Sequence, residues 1–152
     1  MSKLAITKLT LEQLRETQAS PDQAVGKLPQ LLETLADQDQ EIRAWAADCI
    51  QSVEELDAEA ARFVAAYCSH SNESIASWAC RLIGKSASVV DYQDQLITAL
   101  EKHDSLGVKQ SAAQALAKVG CGLSERAKVC LQQAADSSDA RLQRLAKQAL
   151  GR

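Results

Sequence analysis

Trp45 and Trp78 are each followed three residues later by a charged side chain, Asp48 in one case and Arg81 in the other. On a helix, three residues is close to one turn, so each indole shares a face with its charged neighbour. Such an aromatic can pack between helices while its N–H reaches a polar group. It can also stay half exposed and anchor a partner. The sequence leaves both uses open. The same phase continues beyond the tryptophans. Four similar stretches open on Ile42, Ile75, Val108 and Leu142. At about 100° per residue, the positions two and six further on turn about 200° and 240° away from each apolar stripe. They hold Ala44 and Asp48, Ser77 and Arg81, Gln110 and Gln114, then Arg144 and Gln148. This row is polar, varied and nearly neutral, which suits contact with a protein or peptide better than a groove for phosphates. The candidate partner-binding residues are therefore Trp45, Asp48, Ser77, Trp78, Arg81, Gln110, Gln114, Arg144 and Gln148.

Residues for catalysis do not assemble in the same way. The chain has no Ser-His-Asp arrangement with supporting motifs, no glycine-rich phosphate loop and no metal-ligand cluster. Glu54 with Glu55, and Asp37 with Asp39, fall at expected helix ends, where carboxylates face water. The five cysteines are an odd number without CxxC spacing, so neither a disulfide framework nor a zinc site is expected. Cys49 and Cys130 occupy stripe positions and should act as small apolar side chains. Cys80, five residues past Ile75, points away from its stripe and is the expected accessible thiol. No histidine is placed to activate it. Catalytic, cofactor-binding and metal-binding residues are all expected to be absent.

The elements that carry the row are helices. Asp39, Asn72, Ser105 and Asp139, which recur at a nearly constant interval, are good N-caps. Each precedes one stripe: Ile42, Ala46, Cys49 and Ile50; Ile75, Ala79, Leu82 and Ile83; Val108, Ala112, Ala115 and Leu116; Leu142, Ala146, Ala149 and Leu150. A second set of stripes alternates with these at i, i+3, i+4 and i+7. It comprises Leu28, Leu31, Leu32 and Leu35; Ala60, Phe63, Val64 and Tyr67; Gln93, Leu96, Ile97 and Leu100; Ala127, Cys130, Leu131 and Ala134. Each unit is thus two amphipathic helices joined by a polar turn, repeated four times. Gln38, His70 to Asn72, His103 to Ser105 and Ser137 to Asp139 lie in or beside those turns.

The ends depart from the repeat. Thr10 and Gln13 fit a capping box ahead of Leu11 and Leu14, which predicts one or two short helices covering the open end of the stack. Ser20 and Pro21 mark a fresh helix start, and Pro29 predicts a kink or restart near Lys27. The last helix sets its apolar stripe against Arg141, Arg144, Lys147 and Gln148, a polar back suited to a terminal cap. Both ends are expected to be capped.

With 152 residues, one domain with a continuous core is expected. Only 3% of the chain is aromatic, so Ala, Leu, Ile, Val and Cys must fill that core and let helices approach closely. No alternating run predicts a strand. No segment is apolar enough to span a membrane and no signal peptide is apparent, so a cytoplasmic location is expected. The formal net charge is −3, against the basic balance a duplex binder needs. Residues 1–76 hold 13 acids and 6 bases, a net −7, whereas residues 77–152 hold 7 acids and 11 bases, a net +4. That asymmetry allows the basic last repeat, with Arg126, Lys128, Arg141, Arg144 and Lys147, to meet an acidic partner or the acidic half of another copy. Such self-association would weaken with salt.

Cap, apolar residue, basic residue, Ala, then a small-plus-large pair reads here as Asp39-Gln-Glu-Ile42-Arg43, Ala46 and Cys49-Ile50. The pattern resembles the HEAT repeat, especially the short bacterial form also called the PBS-lyase-like repeat. Its closing glycine is present as Gly84 and Gly151 and replaced by Gln51 and Ala117; its basic residue is kept as Arg43 and Lys109 and lost at Ala76 and Gln143. The resemblance covers about residues 20–152 and implies a right-handed α-α superhelix with the second helices lining the concave side. It does not settle function, because such stacks serve as scaffolds, lyases, enzymes and nucleic-acid binders. The branch resembling deoxyhypusine hydroxylase needs repeated His-Glu pairs, which two isolated turn histidines, His70 and His103, do not supply. The DNA-glycosylase-like branch uses Trp and Asp near a basic groove, which Trp45, Asp48, Trp78 and Arg81 echo. The bilin-lyase branch finds no diagnostic residues here.

The expected fold is all-α: a capping segment over 1–19, then four HEAT-like hairpins at about 20–53, 54–85, 88–119 and 122–152, in one domain. The expected function is a non-catalytic protein-interaction or scaffold module with a protein or peptide partner, without cofactor and without a membrane. A nucleic-acid or DNA-base binder using the Trp, Asp and Arg side chains is the alternative.

Overall fold

A computed structural model describes residues 8–151, and among these the secondary structure is helical. The only β pairing in that span is an isolated parallel bridge between Leu56 and Ser86. The part of the expected capping segment over residues 1–7 lies outside the described residues. The chain divides into two compact units, Met1–Glu54 and Glu55–Arg152.

In the first unit, Thr10 and Gln13 form the capping box that starts α1 (Leu11–Ala19). Two 3₁₀ turns, Pro21–Gln23 and Val25–Lys27, then lead into α2 (Leu28–Thr34). The helix restarts at Leu28 because Pro29 has no N–H to give and is tolerated only in a first turn. α2 packs on α3 (Gln40–Gln51), and α1 packs on α3 as well. Leu14 of α1 and Leu28, Leu31, Leu32 and Leu35 are buried. Polar groups help to fasten this unit. The Leu9 amide donates to the buried Thr34 hydroxyl at 3.0 Å, and the Cys49 thiol donates to the Leu14 carbonyl at 3.4 Å. Burial pushes the Cys49 thiol up from its ordinary value, which suits a small packing group.

The second unit contains three hairpins: α4 (Ala58–Ala65) with α5 (Glu73–Ile83), α6 (Gln93–Lys102) with α7 (Leu106–Ala117), and α8 (Glu125–Ala135) with α9 (Ala140–Ala149). α7 packs between α5 and α9, so the second helices form one layer, and α6 packs against α8 in the other. Ile75, Ala79, Leu82, Ile83, Val108, Ala112, Leu116, Leu142 and Ala146 are all buried in it, as their spacing requires.

One stripe is displaced from its expected place. In α4 the buried side chains are Ala61, Val64 and Ala65, followed by Cys68, rather than Ala60, Phe63, Val64 and Tyr67. Phe63 is 51% exposed, with the Arg62 guanidinium 5.7 Å from its ring centre. α4 ends in a 3₁₀ turn at Ala66–Ser69, which advances the side chains by more than 100° per residue and turns Cys68 inward. Tyr67 is left half-buried, its ring 6.2 Å from that of His70. The true stripe follows Leu28, Leu31, Leu32 and Leu35 at the same interval that separates Asp39 from Asn72, the period the other helices keep.

Cys80 also departs from expectation, being fully buried. α5 has neighbours on more than one side, α7 on one and α4 with its 3₁₀ continuation on another, so a residue off the main stripe is still covered. Cys80 meets Cys68 there; the hydrogen bond between the thiols and their burial push Cys80 well above its ordinary value. The exposed thiol is Cys121, in the 3₁₀ turn Gly120–Gly122.

All four expected N-caps accept hydrogen bonds from the helices they open. Asp39 takes the amides of Glu41 and Ile42, Asn72 that of Ile75, Ser105 that of Val108 and Asp139 that of Leu142. Two residues before each cap a further side chain accepts from the cap's own amide. These are Asp37 at 2.9 Å, His70 at 2.9 Å, His103 at 3.0 Å and Ser137 at 3.1 Å. The two histidines are therefore turn-forming acceptors. With Nδ1 of His103 accepting the Ser105 amide, Nε2 carries the ring hydrogen and donates to the His70 carbonyl at 3.0 Å, joining consecutive repeats. His103→Ala should lose both bonds and about 1–2 kcal/mol of stability. His103→Asn, which can imitate the Asp37 turn but cannot reach His70, should recover part of that loss in urea unfolding.

Candidate functional site

The candidate residues fall in both units. In the first, Trp45 is half-buried on α3 with the Arg15 guanidinium 5.9 Å from its ring, and Asp48 is exposed one turn later. In the second, Trp78 is half-buried on α5, and the Arg81 guanidinium lies 4.0 Å from its ring centre. That distance is short enough for a cation–π contact that holds the guanidinium in place.

The two halves of the polar row behave differently. At the sixth position Asp48, Arg81, Gln114 and Gln148 are all exposed. At the second position Ser77 and Gln110 are drawn into contacts between repeats. The Ser77 and Ser111 hydroxyls share a 2.7 Å hydrogen bond, and Gln110 Nε2 donates to Asp139 Oδ2 at 2.9 Å. Arg144, also at the second position, stays exposed on α9. The structure thus joins Arg81, Gln114 and Ser111 in one place, ties Ser77 and Gln110 into the scaffold, and leaves Arg144 and Gln148 outside that place.

That place is a cleft of about 220 Å³ between the C-terminal ends of α5 and α7. Gly84 and Ala115 form its floor, Ser111 and Gln114 add polar groups, and Arg81, Lys85 and Lys118 bring positive charge. Lys85 and Lys118 were not among the candidates. Their separation, equal to that of Arg81 and Gln114, was the available signal; it fell just past the expected helix ends.

Asp139 shows how a row contact tunes a cap. The Leu142 amide and the Gln110 side chain both donate to it and hold its carboxyl below the usual value. A carboxyl lowered in the folded state stabilises the fold above its unfolded value, and that contribution disappears as pH falls through the folded value. Asp139→Asn should therefore unfold at lower temperature than the parent at neutral pH, with the difference shrinking below about pH 4. Thermal melts across that range would test it; a difference constant from neutral pH down to about pH 3 would contradict it.

Among the described residues, no three His, Cys, Asp or Glu side chains gather where they could hold a metal ion. A second depression, of about 540 Å³, lies beside Cys130, Glu101 and Lys109. Burial, followed by the nearby Glu101, pushes the Cys130 thiol up to about 12. It stays protonated at neutral pH and is poorly suited to nucleophilic attack. No helix among the described residues is long and apolar enough to cross a membrane.

Two family profiles match the chain: one described as HEAT repeats over residues 60–151, and one described as HEAT repeat over residues 28–55. A comparison with curated proteins finds no match. Among solved structures, an engineered protein is 20% identical with a TM-score of 0.59, the alignment covering 91% of this chain and 72% of the other. A designed armadillo repeat protein in complex with the peptide (KR)4 is 16% identical with a TM-score of 0.59, covering 91% and 73%. Another designed armadillo repeat protein is 18% identical with a TM-score of 0.55, covering 92% and 68%. At these identities the likeness concerns the fold, which is of the α-α superhelix class.

Proposed function

The chain belongs to the HEAT repeat family, and from that premise we propose that it is a non-catalytic protein-interaction module that receives a peptide segment of its partner along the exposed polar row of its second helices. The observation that carries the proposal is the cleft between α5 and α7, where Arg81 and Gln114 hold equivalent places on consecutive repeats and line one depression. A stack that exposes equivalent positions at regular intervals can meet an extended chain at regular intervals. Gln114 can both donate to and accept from a peptide backbone. The peptide held by the similar designed armadillo protein is in keeping with this use of the fold. Trp78 serves as the plate that holds Arg81 in position, and Trp45 is set similarly beside Arg15 in the first unit. A reducing compartment suits the five free thiols.

Selection from a displayed random-peptide library on the full chain would test the proposal. Selected peptides should bind at least about tenfold more weakly to Arg81→Ala/Gln114→Ala, a loss of about 1.4 kcal/mol. Phe63→Ser, on exposed α4, should leave them unaffected. A library that yields no binder, or binders lost with Phe63→Ser and kept by the double variant, would refute it.

A further inference from the structure

We infer that the α5–α7 cleft recognises an acidic peptide segment through its carboxylates; the inference rests on the proposed peptide-binding role and adds the chemistry of the partner. Three cations, Arg81, Lys85 and Lys118, line this small depression, and no Asp or Glu does. Among the described residues, Arg81 and Lys118 form no salt bridge, whereas Arg15, Arg126 and Lys128 each face a carboxylate within 4.0 Å. Two positively charged groups thus converge on one cleft with no acid among the described residues paired to them.

The geometry of Arg81 strengthens the case. Its guanidinium lies against the Trp78 ring, which restrains the side chain through a face while leaving edge N–H groups for a planar acceptor. A carboxylate matches that fork in a bidentate pair. The floor of Gly84 and Ala115 presents little side chain, so an incoming Asp or Glu can reach between Arg81 and Lys118. Gln114 lies within the same lining and can bond the partner's backbone.

The distribution of charge favours a short acidic peptide over a nucleic acid. The unit that carries the cleft, residues 55–152, has 11 acids and 12 bases, close to neutral. A polyphosphate binder gains affinity from many cations spread along its track. Here the uncompensated cations are local, at a scale suited to one or two carboxylates. The C-terminal carbonyls of α5 and α7 offset part of the positive field, but that effect fades within about one turn.

Fluorescence anisotropy of labelled hexaglutamate with the full chain at low salt is the test. A hexalysine peptide and a single-stranded oligonucleotide, each labelled in the same way, provide the other arms. Hexaglutamate should bind, its affinity should fall steeply as salt is raised, and Arg81→Glu/Lys118→Glu should weaken it at least about tenfold. The charge-reversed variant should gain hexalysine binding, a readout that a misfolded chain would not show. Hexaglutamate binding that is absent or indifferent to the double reversal would overturn the inference, as would tighter binding of the oligonucleotide at the same residues. Neutral peptides from the displayed library that still require Arg81 and Gln114 would then leave the peptide-binding role standing, while a library without binders would remove both.

Discussion

Replacing Leu116 with Ala is expected to cost about 2–5 kcal/mol, enough to remove a large share of a small domain's stability. Leu116 is fully buried on α7, the helix that packs against α5, α6 and α9. Ala leaves a void where several helices meet. The chain contains one Phe, two Trp and two Tyr, so there are few large side chains to swing into that void. A core of Ala, Leu, Ile and Cys is close-packed through backbone proximity, and backbones do not collapse into a hole readily. Leu106 at the start of the same helix is 43% exposed, and Leu106→Ala should change stability by less than about 0.5 kcal/mol. Urea unfolding followed by far-UV circular dichroism would compare the two. Equal midpoints would mean that α7 is not the element on which the second unit depends.

Gly84 provides the second large effect, and it separates two reasons for a glycine. Its φ is −61°, an ordinary helical value, so backbone freedom does not require it. Space does. A Cβ built there would stand 3.3 Å from the Cα and Cβ of Ala115 and 3.3 Å from the Arg81 carbonyl oxygen. Ala would gain up to about 1 kcal/mol from the unfolded chain's lost freedom and spend a comparable amount on crowding against backbone atoms. Gly84→Ala should thus be nearly neutral. Gly84→Leu has no such compensation and must force α5 from α7, at a cost of about 2–3 kcal/mol. It should also distort the cleft, so peptide binding should fall even at temperatures where the variant stays folded. The closing glycine at Gly151 has φ 78° and nothing within 4 Å of a built Cβ, so its requirement is conformational.

The fold was legible where a local rule acts alone. Asp39, Asn72, Ser105 and Asp139 cap helices because a short oxygen-bearing side chain reaches free amides a few residues away, and no distant contact is needed. Most apolar stripes are likewise buried as their spacing demands, and the match to HEAT repeats follows from the same residues. Expectation failed where a neighbouring element decided the outcome or chose between two stripes on one helix. Cys80 is off its stripe but lies under α4 and its continuation, and Phe63 gives way to Ala61 because α4 offers two overlapping apolar stripes and the one in register with the neighbouring repeats is buried. Gln93 stands in a stripe of apolar residues, and its role is visible only in space. Its Nε2 donates to the Val90 and Gly122 carbonyls, and its Oε1 accepts from the Ser124 amide, so a buried polar group fastens one hairpin to the next.

The candidate site divides along the same line. Helical phase alone placed Arg81 and Gln114 on the exposed row, because the constant repeat length returns a side chain to the same face of the next helix in the layer. Phase could not say that Ser77 and Gln110 would be taken up by Ser111 and Asp139, nor that Lys85 and Lys118 would join the cleft, since those outcomes depend on how closely α5, α7 and α9 approach. Sequence by itself determined the helices, their caps and their period, all of which arise from interactions within a few residues. Tertiary structure alone decided which polar side chains remain free for a partner, because that depends on distances between helices a repeat apart.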